Sequence, residues 1–122
     1  MDGCIFCKIV SGEIPAHRVY EDDHYLAFLD IRPLSAGHTL VIPKEHHRFV
    51  WDVMDVGGYF SVVQKIAHAL QKVSGTDEVY MKVIGEEVPH AHVWVYPNPE
   101  KSSGDKNDFE TNAEHLHRLT ME

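Results

Sequence analysis

Apolar residues recur along this chain with two periods. Over residues 88–97 they alternate: Ala91, Val93 and Val95 point one way, and His90, His92, Trp94 and Tyr96 point the other. That is the period of a strand with one apolar face and one face carrying two imidazoles and two aromatics. Pro89 and Pro97 bracket it, as prolines do at strand ends. From about Tyr59 to Val73 the spacing changes to three and four. Phe60, Val63, Ile66, Ala67 and Leu70 form a stripe that predicts one main helix packed on a core. Asp55 is placed to cap its start or lie just ahead of it, and Gly75 sits where a glycine follows a helix end.

Shorter runs predict the remaining strands. Arg18 to Glu21 and Tyr25 to Ile31 flank Asp22-Asp23-His24 as a hairpin. His38 to Pro43 is strongly apolar, which predicts a central strand. Glu78 to Ile84 is the fourth. Residues 11–15 and 34–37 read as turn and loop, and Trp51 to Met54 as a loop or short helical turn. The sum is an α+β domain over residues 1–100, an antiparallel sheet of about five strands with one main helix. Beyond Glu100 the composition turns to Lys, Ser, Gly, Asp and Asn. Residues 101–122 are therefore expected to be a polar tail, in which Thr111 to Met121 could form a short helix carrying His115 and His117.

A chain of 122 residues suffices for one domain with a real core. No apolar run approaches the ~20 residues of a membrane span, and no basic-then-apolar leader pattern opens the chain, so a soluble, cytoplasmic protein is expected. The net charge of −8 argues against duplex nucleic acid, which calls for a basic face. It leaves room for a small nucleotide held by local dipoles.

The candidate chemistry lies in ten histidines and two cysteines. Cys4-Ile5-Phe6-Cys7 is half of a metal site, because a closed zinc site takes four ligands. The alternative, a redox pair, usually follows a strand and opens a helix in a βαβ unit. Histidines from the fold would complete the site. His46 and His47 follow the central strand and face different ways, so one of them should ligate. His90 and His92 lie about 6.5–7 Å apart at Cα on one strand face. That is too far to serve one phosphorus atom in the same way, and close enough for two neighbouring jobs. Half-exposed histidines on an edge strand are the plainer reading. Asp30 continues the apolar row of Leu26 and Phe28. It is either a turn-capping residue before Arg32-Pro33 or an acceptor for ligand hydroxyls.

Three blocks, CIFCKIVSGEIP, AFLDIRPLSAGHTLVIPKEH and VPHAHVWV, in this order and spacing, closely resemble the histidine triad (HIT) family. The resemblance runs from Cys4 to about Pro97. It implies nucleotidyl transfer through a covalent phosphohistidine, with His92 as the nucleophile, because a neutral imidazole attacks phosphorus near pH 7 and leaves a labile P–N bond. It gives Asp30 to the ribose hydroxyls, Ile31 to the wall of the base pocket and His38 to the neighbourhood of the phosphate. The C-x-x-C start resembles the zinc-bearing branch, which implies a structural zinc ion on Cys4, Cys7, His46 and His90. A homodimer is implied as well, with the main helix and the histidine-side strand region at the interface.

The sequence departs from the family pattern twice. Trp94 stands where the third signature histidine contacts the phosphate or leaving group, and indole can donate one hydrogen bond but transfers no proton. The short connection Gly85-Glu86-Glu87 replaces a longer polar loop, which puts Glu87 beside the phosphate. The expected function is that of a purine nucleoside phosphoramidase-like hydrolase or nucleotidyl transferase acting on AMP, GMP or a phosphoramidate of one. The alternative is a nucleotide-binding regulatory module with little turnover.

Overall fold

The computed structural model describes residues 3–84 and 88–121. Glu87 and its two predecessors lie outside the described residues. The elements run α1 (Ile5–Ser11), β1 (Arg18–Glu21), β2 (Tyr25–Leu29), β3 (Thr39–Pro43), a 3-10 turn (Val50–Asp52), α2 (Val56–Val73), β4 (Val79–Val83), β5 (Val93–Pro97) and α3 (Phe109–Thr120). The five strands form one antiparallel sheet in the order β1-β2-β3-β5-β4. The α+β reading holds, and β3 is central as its unbroken burial requires.

The two sheet faces pack differently. Ala27, Leu29, Val41, Val93 and Val95 meet Val63, Ile66 and Leu70 of α2. On the other face Leu26, Phe28, Leu40 and Ile42 meet Phe6 and Ile9 of α1. The helix stripe is wider than its sequence reading, since Val62 and Ala69 are also buried, and it is shifted at its start. Tyr59 is fully buried and Phe60 is exposed, because Tyr59 Oη donates to the Val41 carbonyl at 2.7 Å. Asp55 caps α2 by accepting from Gly58 N at 3.0 Å, and Gly75 follows the helix with φ +80°.

Three sequence expectations change. A helix, α1, spans the C-x-x-C segment, where no helix was expected. The paired strand of the histidine segment is shortened to Val93–Pro97, and it lies inside the sheet rather than at its edge. The segment after Glu100 returns to the core: α3 forms, and Leu116 is buried among the residues of the α2 side. The polar stretch thus connects to a helix that packs on β1 and α2. Among the described residues, no helix is long and apolar enough to cross a membrane.

Candidate functional site

Four side chains of metal-ligand type, two cysteines and two histidines, converge at one end of the sheet. Cys4 caps α1, its Sγ accepting from Cys7 N at 3.4 Å, so the first helical turn sets both sulfurs side by side. His90 enters from the segment before β5 and His46 from the chain after β3. Cys4 Sγ and His90 Nδ1 are 3.2 Å apart, Cys7 Sγ and His46 Nδ1 3.2 Å, and Cys7 Sγ and His90 Nδ1 3.5 Å. All four ligand atoms lie within 4.8 Å of one another. A tetrahedral zinc with Zn–S near 2.3 Å and Zn–N near 2.05 Å sets its sulfur and nitrogen ligands about 3.5 Å apart, so the residues fit the ion. His90 Nε2 donates to the Pro43 carbonyl at 2.8 Å, which leaves Nδ1 as the lone-pair atom facing the sulfurs. His47 is outside the cluster; its Nε2 lies 3.7 Å from Glu45.

Burial opposes charge on these side chains. Burial pushes the His90 imidazole down to about 4, against the hydrogen bond to Pro43. Burial, helped by Cys4, pushes the Cys7 thiol up to about 11. A bound cation reverses the thiol preference, since a metal-bound thiol gives up its proton.

Beside this cluster lies a cavity of about 810 Å³, within the range of small-molecule sites. Ile5, Phe6 and Ile9 of α1 form one wall, Ile14, Pro15 and His17 an end, and Phe28 and Leu40 the sheet side. Asp30, Ile31 and Arg32 form the rim, and His92 and Trp94 open onto it. His92 is buried, with its ring edge-on to Phe6 at 5.2 Å. Its Nδ1 lies 2.7 Å from the His90 carbonyl oxygen. That nitrogen must carry the proton and donate, which leaves Nε2 with the lone pair.

Asp30 closes the turn before Arg32. Its Oδ1 accepts from Arg32 N at 2.8 Å, the turn-capping role, while Oδ2 stands 3.6 Å from His38 Nε2. His38 does not reach the cavity surface. It is buried behind Trp94 and Tyr96, with ring centroids 5.1 and 5.0 Å away, and its Nδ1 accepts from Leu34 N at 3.1 Å. His38 thus touches residues that line the site, Trp94 and Asp30. Burial holds the His38 imidazole below its ordinary value, with Asp30 pulling the other way. Trp94 pairs across the sheet with Lys82, whose Nζ lies 5.7 Å from the indole centroid.

Residues 11–101 match the HIT domain family. The chain belongs to this family. Among HIT relatives, a HIT-like protein of Borreliella burgdorferi is 44% identical over 106 residues, 80% of this chain and 76% of that protein. The adenosine 5′-monophosphoramidase HNT1 of Saccharomyces cerevisiae is 36% identical over 106 residues, 83% of this chain and 66% of that protein. A Zn-bound histidine triad family protein from Mycobacterium smegmatis shares the fold with a TM-score of 0.84 and 38% identity, over 98% of this chain and 94% of that one. The Cys4, Cys7, His46 and His90 cluster fits the zinc-bearing branch of HIT proteins.

The sequence reading missed the α1 wall of the HIT pocket, and with it Ile5, Phe6 and Ile9. The signal was present: apolar residues three and four apart, between a cysteine able to cap and Gly12, which takes φ +87° at the helix end. His17 and Arg32 also line the pocket with no prior sequence argument.

Proposed function

We propose that this HIT protein is a nucleotide hydrolase or nucleotidyl transferase, purine nucleoside phosphoramidase-like, that works through a covalent nucleotidyl group on His92. The observation that carries this reading is the orientation of His92. Its Nδ1 proton is held by the His90 carbonyl, and the ring opens onto the cavity between Asp30 and Trp94. In the first step His92 Nε2 forms a bond to the α-phosphorus of a nucleoside phosphoramidate and the P–N bond to the amine breaks. The amine takes up a proton from water. In the second step water, or another acceptor, attacks phosphorus and the P–Nε2 bond breaks. The nucleoside monophosphate leaves, water's surplus proton goes to solvent, and His92 returns to neutral.

The other groups take supporting roles. Asp30 Oδ2 accepts from a ribose hydroxyl while its Oδ1 is fixed by the turn. Ile31, 75% exposed on the rim, forms an apolar wall for the base. His38 acts as a positioning residue behind Asp30 and Trp94. The Cys4, Cys7, His46 and His90 set holds one zinc ion, which is structural because four protein ligands close its shell. A reducing compartment such as the cytoplasm keeps two adjacent thiols free for it. The exposed edge strand β4, with Met81 uncovered beside Phe60 of α2, supports a homodimer.

Trp94 supports a second reading, a nucleotide-binding module with little turnover, because indole cannot return a proton to the leaving group. Intact-mass measurement of the protein mixed with an adenosine phosphoramidate, with AMP release followed in parallel, separates the two. A transient adenylyl adduct absent from His92→Ala, with AMP accumulating, is the expected result. AMP binding with neither adduct nor turnover would make the chain a binding module.

A further inference from the structure

The pocket wall holds a histidine, His17, that the proposed chemistry does not use. His17 precedes β1, and its carbonyl accepts from Leu29 N at 2.9 Å, which sets it alongside the strand end that carries Asp30. Its ring lies on Phe109, with centroids 5.2 Å apart and planes 18° from parallel. Phe109 is the first residue of α3. The C-terminal helix, anchored in the core by Leu116, thus holds one face of an imidazole at the pocket wall.

We infer that His17 is a specificity-determining residue that hydrogen-bonds the purine edge carrying the 6-substituent, with Phe109 as its positioning residue. This rests on the nucleotide site proposed above. The pocket that His17 lines is mostly apolar, with Ile5, Ile9, Ile14 and Ile31 among its walls and Asp30 and Arg32 also lining it. Such walls accept the flat faces of any base. They leave the polar edge of a purine stripped of water and without a partner, which is unfavourable. A neutral imidazole has one donor and one acceptor, and which nitrogen bears the proton adapts to the neighbour. It therefore accepts from a 6-amino group or donates to a 6-oxo group, so His17 reads adenine and guanine alike. The stack on Phe109 fixes the ring plane and leaves its nitrogen edge for this contact. The segment after Glu100 becomes part of the base site by this route, although it follows the last strand.

The test compares three ligands on the zinc-loaded full chain by calorimetry: AMP, GMP and purine riboside 5′-monophosphate, which lacks only the 6-substituent. The wild type is expected to bind AMP and GMP with similar affinity and the purine riboside nucleotide about fivefold more weakly, the size of one net hydrogen bond. His17→Phe keeps an aromatic ring on Phe109 and removes both ring nitrogens. It should bring the three dissociation constants to within about twofold of one another. Phe109→Ala leaves the imidazole unheld and should reduce the discrimination part-way. A purine riboside nucleotide bound as well as AMP by the wild type overturns the inference, as does unchanged discrimination in His17→Phe. Equal weakening of all three ligands in His17→Phe, with their ratios kept, overturns it too, because only packing would then be affected. If the wild type binds none of the three, the proposed nucleotide site itself fails, and this inference falls with it.

Discussion

His92 Nδ1 lies 2.7 Å from the carbonyl oxygen of His90, and the His90 ring is one of the four groups in the Cys4, Cys7 and His46 cluster. One residue therefore joins the metal-ligand set to the residue proposed as nucleophile. Its side chain is held from the cluster and from Pro43, and its backbone oxygen fixes which nitrogen of His92 carries the proton. The wild type is expected to hold one zinc per chain, and Cys4→Ser to lose it and to lower the melting temperature by roughly 10 °C or more. The substitution should also slow adduct formation on His92, because the His90 carbonyl loses its anchor. Elemental analysis, thermal unfolding and the mass assay read the three effects separately. A zinc-free variant with wild-type adduct kinetics would break the link between cluster and nucleophile.

Trp94 sets a limit on leaving-group chemistry. Trp94→His should restore a proton donor and accelerate release of basic amines by about 10²-fold or more. A leaving group stable as an anion, such as p-nitrophenolate, should gain little. The ratio of the two rates in wild type and variant is the measurement.

The buried imidazole of His38 couples stability to acid. Its folded-state value lies below the unfolded value near 6.5, so the unfolded chain binds the extra proton. Its contribution to stability is complete above that value and is lost as the pH falls below it. Urea unfolding should show stability dropping between pH 7 and 5. His38→Gln, whose amide can still accept from Leu34 N, should show a shallower drop over the same range. Parallel slopes would remove His38 from the account.

Leu116 is fully buried beside Leu70, and the close approach of Gly37 completes that corner: a Cβ at Gly37, whose φ is +89°, would stand 2.7 Å from Leu70 Cδ2. Leu116→Ala should cost about 2–5 kcal/mol in denaturant unfolding, the range for a large-to-small change in a packed core. A loss below about 0.5 kcal/mol would mean that α3 is not part of the core.

β4 is an edge strand with Met81 half exposed. In the homodimer proposed here, Met81→Asp places a charge in the apolar contact and should shift the protein to monomer in light scattering at micromolar concentration. A wild type that is already monomeric under those conditions would remove the dimer.

The elements with a long, regular period were legible from the sequence. The α2 stripe, the 18–29 hairpin and the apolar run of β3 are local patterns, and each formed close to where its period placed it. The clustering of Cys4, Cys7, His46 and His90 was legible through motif spacing together with family resemblance, because chemistry restricts which residue types serve there. Shorter elements were not legible. A seven-residue helix such as α1 has little stability of its own and exists because Phe6 and Ile9 pack on Phe28 and Leu40. The polarity of residues 101–108 hid the return of α3, whose apolar contacts are few and meet their partners only across the fold. What the sequence determined by itself was the inventory of groups and the strands that carry them. Only the tertiary structure decided that α1 walls the pocket and that His17 meets Phe109. Those outcomes depend on distances between residues up to 92 positions apart (17 and 109), which no local period encodes.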